Sequence, residues 1–382
     1  MNRLPLSTTV NIRSRSLAIG RGDTTHHFDR SGRLTFSTRP GETIRRSLDD
    51  RALRVTASAG ARDYEQLSAR DKERWYTGAI ALAAEARGQD ADPVTSAWLA
   101  RIATQTPWRL AGDAEAFARV YLPVSILPPD QYHALVVQVS HGCSYNRCLF
   151  CDFYRDRPFH VKTPAELGAH IDGLREFFAE RLADRSGVFL GDGNALVIPT
   201  GKLLGMMDVL RREFGPIADP FSTFMDTFTL DHKTRGELAD IRAAGLTTVY
   251  SGLETGSDRL RAVLRKPGTA VEAADALNLL KATGFRLGVI VIVGVGGPQF
   301  AAEHLQDTLD TLRSVNLTRQ DIVFLSPFVD PGLSDFDDAV RRGLLSRFGD
   351  EEVGPELARW RRALAGLPAR VTTYSLKEYM YW

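Results

Sequence analysis

Cysteine is almost absent from this chain. Its 382 residues include three, and outside residues 143–151 there is none. That excludes a disulfide-stapled secreted scaffold and points to a reducing compartment. Long hydrophobic runs are missing too: none approaches the ~20 apolar residues of a membrane-spanning helix, so no membrane partner is expected. Charge of one sign is lacking, with 48 Lys and Arg against 47 Asp and Glu. That balance gives no support for bulk nucleic-acid binding. What remains, 43% hydrophobic and 25% charged, is the composition of a globular protein of one large domain with an appendage, or of two domains.

The charge is unevenly spread. Residues 1–62 hold twelve Arg, no Lys and five acids. The simplest reading is a solvated Arg-rich surface; an anionic partner is the sharper one. The first 22 residues carry Arg3, Arg13, Arg15 and Arg21 and no acid, which also fits an organellar transit peptide. A cytoplasmic location is expected, with organellar targeting as the alternative.

Periodicity divides the chain into three. Residues 1–130 read as an accessory region, strands and then helices. Phe28-Asp29-Arg30-Ser31-Gly32-Arg33-Leu34 is apolar, turn, apolar, the pattern of a hairpin, and Pro40-Gly41 is a further turn. Tyr76, Ile80, Ala83 and Ala84 form a helical stripe, and Asp113 to Tyr121 a second helix. From 131 to 335 the pattern is strand, loop, helix, repeated. Strands are expected at 134–140, 187–190, 221–224, 247–251, 287–293 and 322–325. Helices are expected at 164–183, 201–214, 233–244, 257–282 (broken near Pro267-Gly268) and 299–315. Nearly all-apolar strands alternating with helices imply a parallel sheet with right-handed crossovers. Six units are too few for a complete eight-unit barrel. The fold class is therefore α/β: a partial (βα)6 TIM barrel preceded by a smaller mixed β/α region. Residues 336–382 are expected to pack on the barrel as a helical and strand extension. Chemistry belongs in the loops at the C-terminal ends of the strands.

The three cysteines fall in the first of those loops. Cys143, Cys148 and Cys151 stand in Gly-Cys-Ser-Tyr-Asn-Arg-Cys-Leu-Phe-Cys. Three thiolates so close suggest a metal or Fe–S site with one position open, since clusters normally take four Cys ligands. A zinc site completed by His141 or His160 is the competing reading, and with it a non-enzymatic binding module.

This loop, placed after the first strand of a partial barrel, resembles that of the radical S-adenosylmethionine (SAM) superfamily over residues 134–335. The resemblance implies that the three cysteines hold three irons of a [4Fe–4S] cluster while SAM chelates the fourth. The family spacing is Cys-x3-Cys-x-aromatic-Cys; here four residues separate Cys143 from Cys148, and Phe150 fills the aromatic slot near the adenine. Gly191-Asp192-Gly193 resembles the family's Gly-Gly-Glu turn, which meets the SAM ammonium. The plain reading of Gly191, Asp192 and Gly193 is a turn. Ser251-Gly252-Leu253-Glu254 resembles the Gly-Leu-Glu segment whose carboxylate accepts the ribose hydroxyls; otherwise Glu254 caps the next helix. The fifth strand ends in Val293 and Gly294, whose backbone would lie along the adenine. Ser222, Thr223 or Asp226 on the third strand is expected to face SAM or the substrate; Arg286 has two equal readings, a partner of the SAM carboxylate and a surface residue. Tyr145, Asn146 and Arg147 are the neighbours available to the cluster sulfurs.

By the same resemblance the function is that of an oxygen-sensitive radical SAM enzyme. A reduced [4Fe–4S] cluster cleaves SAM to a 5′-deoxyadenosyl radical, which abstracts hydrogen from a small-molecule substrate. An external one-electron donor of flavodoxin or ferredoxin type is implied. The altered spacing leaves open a second cleavage, transferring a 3-amino-3-carboxypropyl group. With no other cysteine there is neither a second Cys-ligated cluster nor a methyl-accepting Cys pair.

Overall fold

The computed structural model describes residues 8–58, 61–87 and 92–382. They divide into two compact units. One holds the described residues through Leu127 with Asp172–Arg185 and Glu378–Trp382; the other holds Pro128–Ile171 and Ser186–Lys377.

The first unit is a seven-stranded antiparallel meander, its strands β1 (Thr8–Ile12), β2 (Leu17–Arg21), β3 (Thr24–Phe28), β4 (Leu34–Arg39), β5 (Glu42–Arg46), β6 (Ala52–Ser58) and β7 (Ala61–Gln66) neighbouring in chain order. The hairpin expected over 28–34 joins β3 to β4, and Pro40-Gly41 turns β4 into β5. Residues 8–21 of the arginine-bearing start form β1 and β2; Arg3 lies outside the described residues. Four helices follow: α1 (Ala69–Arg87), α2 (Pro93–Ala103), α3 (Pro107–Ala111) and α4 (Asp113–Val120). The apolar stripe of α1 is Tyr76, Ala79, Leu82, Ala83 and Ala86, so it is rotated from the expected one: Ile80 is half-buried and Ala84 exposed. That stripe closes a core with Leu17, Ile19, Phe28 and Leu34. Arg46 is buried at its edge, bonding Asp50 (2.7 Å), Asp113 (2.7 Å), Tyr76 (3.0 Å) and the Leu110 carbonyl (2.6 Å). A buried guanidinium persists only when so fully paired.

The second unit runs β8 (Leu135–Gln138), β9 (Ser140–His141), β10 (His160–Val161), α5 (Pro164–Phe178), β11 (Val188–Gly191), α6 (Thr200–Phe214), β12 (Phe221–Met225), α7 (Arg235–Ala243), β13 (Leu246–Glu254), α8 (Asp258–Val263), α9 (Ala270–Ala282), β14 (Arg286–Val293), α10 (Ala301–Ser314), β15 (Ile322–Pro327), α11 (Ser334–Arg341), α12 (Asp350–Ala363) and β16 (Arg370–Thr373). The second half of α5 belongs to the first unit. Apart from the β9–β10 ribbon, the strands form one parallel sheet in chain order, β8-β11-β12-β13-β14-β15-β16. Unreversed order is that of a βα barrel rather than a doubly wound sheet. Its curl is visible inside. Phe189 of β11 and Tyr250 of β13 are two strands apart, yet their ring centroids are 6.1 Å apart. Flat strands would hold them nearly 10 Å apart. Tyr250 likewise reaches Phe324 of β15 (6.2 Å). Gly288, on the strand between, makes this possible: a Cβ there would stand 2.3 Å from Tyr250 Cδ1.

The six expected strands are present and a seventh joins them. β16 pairs in parallel with β15 from Ile322↔Arg370 to Leu325↔Thr373. Four residues, Arg-Val-Thr-Thr, give too short a pattern to read as a strand. The helix expected over 257–282 is interrupted at Leu264–Thr269, giving α8 and α9.

Candidate functional site

The cysteine loop leaves the sheet after β8 and β9. The end of β11 holds its base. Asp192 is buried, and its carboxylate accepts from Gln138 Nε2 (2.8 Å) and the Gly142 N–H (3.2 Å), with Arg157 Nε at 3.4 Å. Burial pushes its carboxyl above the usual range, against the pull of Arg157. Gly193 lies beneath the loop: a Cβ there would come 2.9 Å from the Gly142 carbonyl and 3.3 Å from Cys143 Cα. Gly191 closes β11 opposite Gln138. The Gly191-Asp192-Gly193 turn thus props the cysteine loop.

Inside the loop, Arg155 folds the Cys148–Cys151 turn by donating to the Cys148 carbonyl (2.8 Å) and the Cys151 carbonyl (3.3 Å). The Leu149 N–H donates to the Leu264 carbonyl (3.0 Å), tying the loop to the end of α8. The fourth residue between Cys143 and Cys148 is absorbed at Asn146, which adopts φ +52°. Its N–H donates to Cys143 Sγ (3.3 Å) and its side-chain Nδ2 to the Tyr154 carbonyl (2.7 Å).

The thiols are neighbours, and burial raises all three, Cys148 to about 11 and Cys151 to about 12. Among the described residues no three His, Cys, Asp or Glu are grouped as a single metal ion requires. Tetrahedral zinc–thiolate bonds of about 2.3 Å would bring sulfurs to within about 3.8 Å of one another. A cubane bound at three separate irons needs them farther apart. Neither histidine completes a zinc site. His141 Nε2 contacts Lys162 Nζ (2.8 Å), and His160 pairs with Glu166 (2.9 Å). Three thiols on one short loop, with both histidines bonded elsewhere, are the donor set that a cluster with one open iron would take.

The fourth strand supplies the second half of the site. Its register against β14 slips between Gly252 and Glu254, a bulge at Leu253. Bulges re-aim side chains near active sites. Glu254 then takes φ +64°, uncommon for a residue with a Cβ, and its carboxylate folds back over Gly252. A Cβ at Gly252 would stand 2.1 Å from Glu254 Oε1. Glu254 Oε2 is buried with no hydrogen-bond partner. Burial, only partly offset by Lys266, lifts the carboxyl to about 7. An ionisable acceptor held unpaired in a dry site fits a ligand with hydroxyl donors, as SAM has on its ribose. The capping role does not hold, since Ser257 caps α8 through the Leu260 N–H (3.1 Å).

Lys266 was not anticipated from the sequence. Its ammonium is buried, 3.5 Å from Asp226 Oδ1 and 3.9 Å from Glu254 Oε1. Burial alone would lower its pKa; Asp226 first, then Glu254, hold it above the ordinary value. The two shifts agree: the lysine stays charged chiefly against Asp226, while Glu254 is too distant for a hydrogen bond. Arg261, also buried, sets this corner. It donates to the carbonyls of Leu253 (3.1 Å), Thr255 (3.2 Å), Pro267 (2.8 Å) and Gly268 (2.8 Å), locking the strand end to the turn that carries Lys266.

The fifth strand ends at Val293, whose carbonyl accepts from the Phe328 N–H (2.9 Å), and turns at Gly294 with φ +88°. Phe150 and the following Val295 meet in one apolar cluster with Leu149, Leu260 and Leu264. Phe150 and this turn are thereby on one side of the site.

Two candidate residues lie away from the cysteines. Ser222 is near the start of β12, donating to Gln131 Oε1 (2.9 Å), and Gln131 donates to the Tyr250 hydroxyl (2.7 Å). Arg286 opens β14 and pairs with Asp130, which also accepts from the Tyr250 hydroxyl (2.6 Å). Both belong to a network at the N-terminal end of the barrel, opposite the cysteines. Thr223 bonds the Leu190 carbonyl (2.9 Å). Of the polar residues expected on the third strand, Asp226 alone reaches the site.

Residues 137–312 match the family model described as Radical SAM superfamily. The chain carries a radical SAM domain over that stretch; members of the superfamily use a [4Fe–4S] cluster and SAM. Among the curated proteins none matches this chain. Solved structures of similar fold include methylornithine synthase (PylB), 16% identical, TM-score 0.42, covering 63% of this chain and 70% of that one. Coproporphyrinogen III oxidase (HemN) from Escherichia coli is 17% identical, TM-score 0.44, with 61% and 52% covered. The cobalamin-dependent radical enzyme OxsB is 18% identical, TM-score 0.38; 58% of this chain is covered and only 30% of that one. No helix among the described residues is long and apolar enough to cross a membrane.

Proposed function

We propose that Cys143, Cys148 and Cys151 hold a [4Fe–4S] cluster whose open iron takes SAM, and that the enzyme abstracts hydrogen from a small molecule at the C-terminal mouth of the barrel. When bound and reduced by one electron, this pair supplies a 5′-deoxyadenosyl radical. The chain's own residues bind and orient. Glu254 accepts the ribose hydroxyls, and Gly252 leaves the space its carboxylate needs. Lys266 is the buried cation at this edge and takes the place proposed for Arg286 in balancing carboxylate charge. Val293 and Gly294 offer backbone to the adenine, with Phe150 beside it. Asp192, Gly191 and Gly193 act on the cofactor through the loop they support. Burial of this corner excludes water, which strengthens each polar contact. A soluble flavodoxin- or ferredoxin-type donor in the cytoplasm would supply the electron.

The observation that carries this reading is the buried, unpartnered Glu254 Oε2 beside Lys266 and the cysteine loop. The experiment is anaerobic reconstitution with iron, sulfide, SAM and dithionite, followed by mass spectrometry. 5′-Deoxyadenosine and methionine are expected. Methylthioadenosine would replace this reading with 3-amino-3-carboxypropyl transfer, and no cleavage by a loaded cluster would remove both.

A further inference from the structure

The extra residue between Cys143 and Cys148 lengthens the loop, and the structure shows where the length goes. Asn146 turns left-handed at φ +52°. Asn is among the few residues with a Cβ that enter this region readily. The turn brings the Asn146 N–H to 3.3 Å from Cys143 Sγ, and the side-chain amide fastens the turn to the Tyr154 carbonyl at 2.7 Å. Tyr154 is itself buried, so the anchor is fixed. A donor aimed at a ligating sulfur stabilises the more negative, reduced cluster and raises its potential.

We infer that Asn146 is a positioning residue: its left-handed turn converts the fourth spacer residue into an N–H···S bond that eases reduction of the cluster. The inference rests on the cluster reading above. The Tyr145 N–H also faces Cys143, but it belongs to a residue whose side chain packs on Phe228 (5.5 Å) rather than holding the turn.

The test is an EPR-monitored redox titration of the reconstituted protein, without SAM or substrate. Asn146→Ala, which disfavours the left-handed turn, is expected to cut the ratio of reduced to oxidised cluster at fixed potential by three- to tenfold, about 30–60 mV more negative. Asn146→Gly, free to keep the turn, is expected to stay at the wild-type potential. If Asn146→Ala loads no cluster, Asn146→Ser is measured in its place with the same expectation. An unshifted potential in the Ala or Ser variant overturns the inference, as does a Gly variant that falls as far. A wild-type protein that assembles no [4Fe–4S] cluster would instead overturn the reading on which it rests.

Discussion

Gly252 and Glu254 occupy one small volume: the carboxylate lies where a Cβ of residue 252 would point, 2.1 Å from it. The motif is thus a pair, a bulged strand end that turns the acid inward and a glycine that makes room. Lys266 faces the same acid from α8's far end, at 3.9 Å.

Glu254→Gln and Gly252→Ala are expected to act alike on SAM. Losing hydrogen bonds to a charged acceptor costs about 1.5–3 kcal/mol, or roughly ten- to a hundredfold in Kd. Equilibrium dialysis of the cluster-loaded protein measures it, with iron content unchanged. Wild-type affinity in Gly252→Ala would mean the carboxylate can work from elsewhere.

SAM binding should depend on pH through Glu254. Its carboxyl titrates at about 7 in the folded chain, and only the ionised form accepts two hydroxyls. Affinity should fall as pH drops through 7, by up to about tenfold per unit below it. Stability of the metal-free chain runs the other way. The folded state keeps a proton that the unfolded one releases near 4.5, so this contribution is full below about 4.5 and is lost by about 7. Glu254→Gln should flatten both profiles; a slope that survives in it belongs to another group.

Lys266→Met leaves two buried or half-buried carboxylates without their cation. Removing one partner of such a buried pair costs about 3 kcal/mol. Chemical denaturation of the apo-protein should show it, and Lys266→Arg should recover part. An unmoved midpoint would show that the carboxylates take up protons instead.

Each of Cys143→Ala, Cys148→Ala and Cys151→Ala should abolish assembly of the oxygen-sensitive brown chromophore. A full iron and sulfide complement in any of the three would strike that residue from the ligand set.

What the sequence made legible was local. The strand–loop–helix rhythm located six parallel strands, because apolar runs bounded by turns survive as runs in the fold. The candidate residues Cys143, Cys148, Cys151 and Glu254 stand out from their neighbours in the chain alone. Ser222 lies away from the cysteines because polarity near a strand does not say which end of the barrel it occupies; it is near the start of its strand, and Arg286, equally readable as a surface residue, opens its own. Lys266 was missed because its partners, Asp226 and Glu254, come from other loops. One signal was available. The chain uses seven Lys beside 41 Arg, and Lys162, Lys233 and Lys266 are buried, where a compact ammonium fits a tight carbonyl or carboxylate pocket better than a guanidinium fork.

The membership of the first unit has a consequence for how the chain comes into being. Its meander is translated first, but Phe117 and Tyr121 of that unit pack on Phe177 and Tyr381, and the Leu48 N–H bonds the Tyr381 carbonyl (2.8 Å). Phe177 leaves the ribosome just after the first strand of the parallel sheet and Tyr381 after the last. The unit begun earliest is therefore completed last, and the side of its aromatic face that Tyr381 covers stays open throughout barrel synthesis. For the same reason, cutting away residues 1–125 would not release a separable module. It would strip Phe177 and Tyr381 of their cover, so a truncation that aggregates would report on that wound before it reported on catalysis.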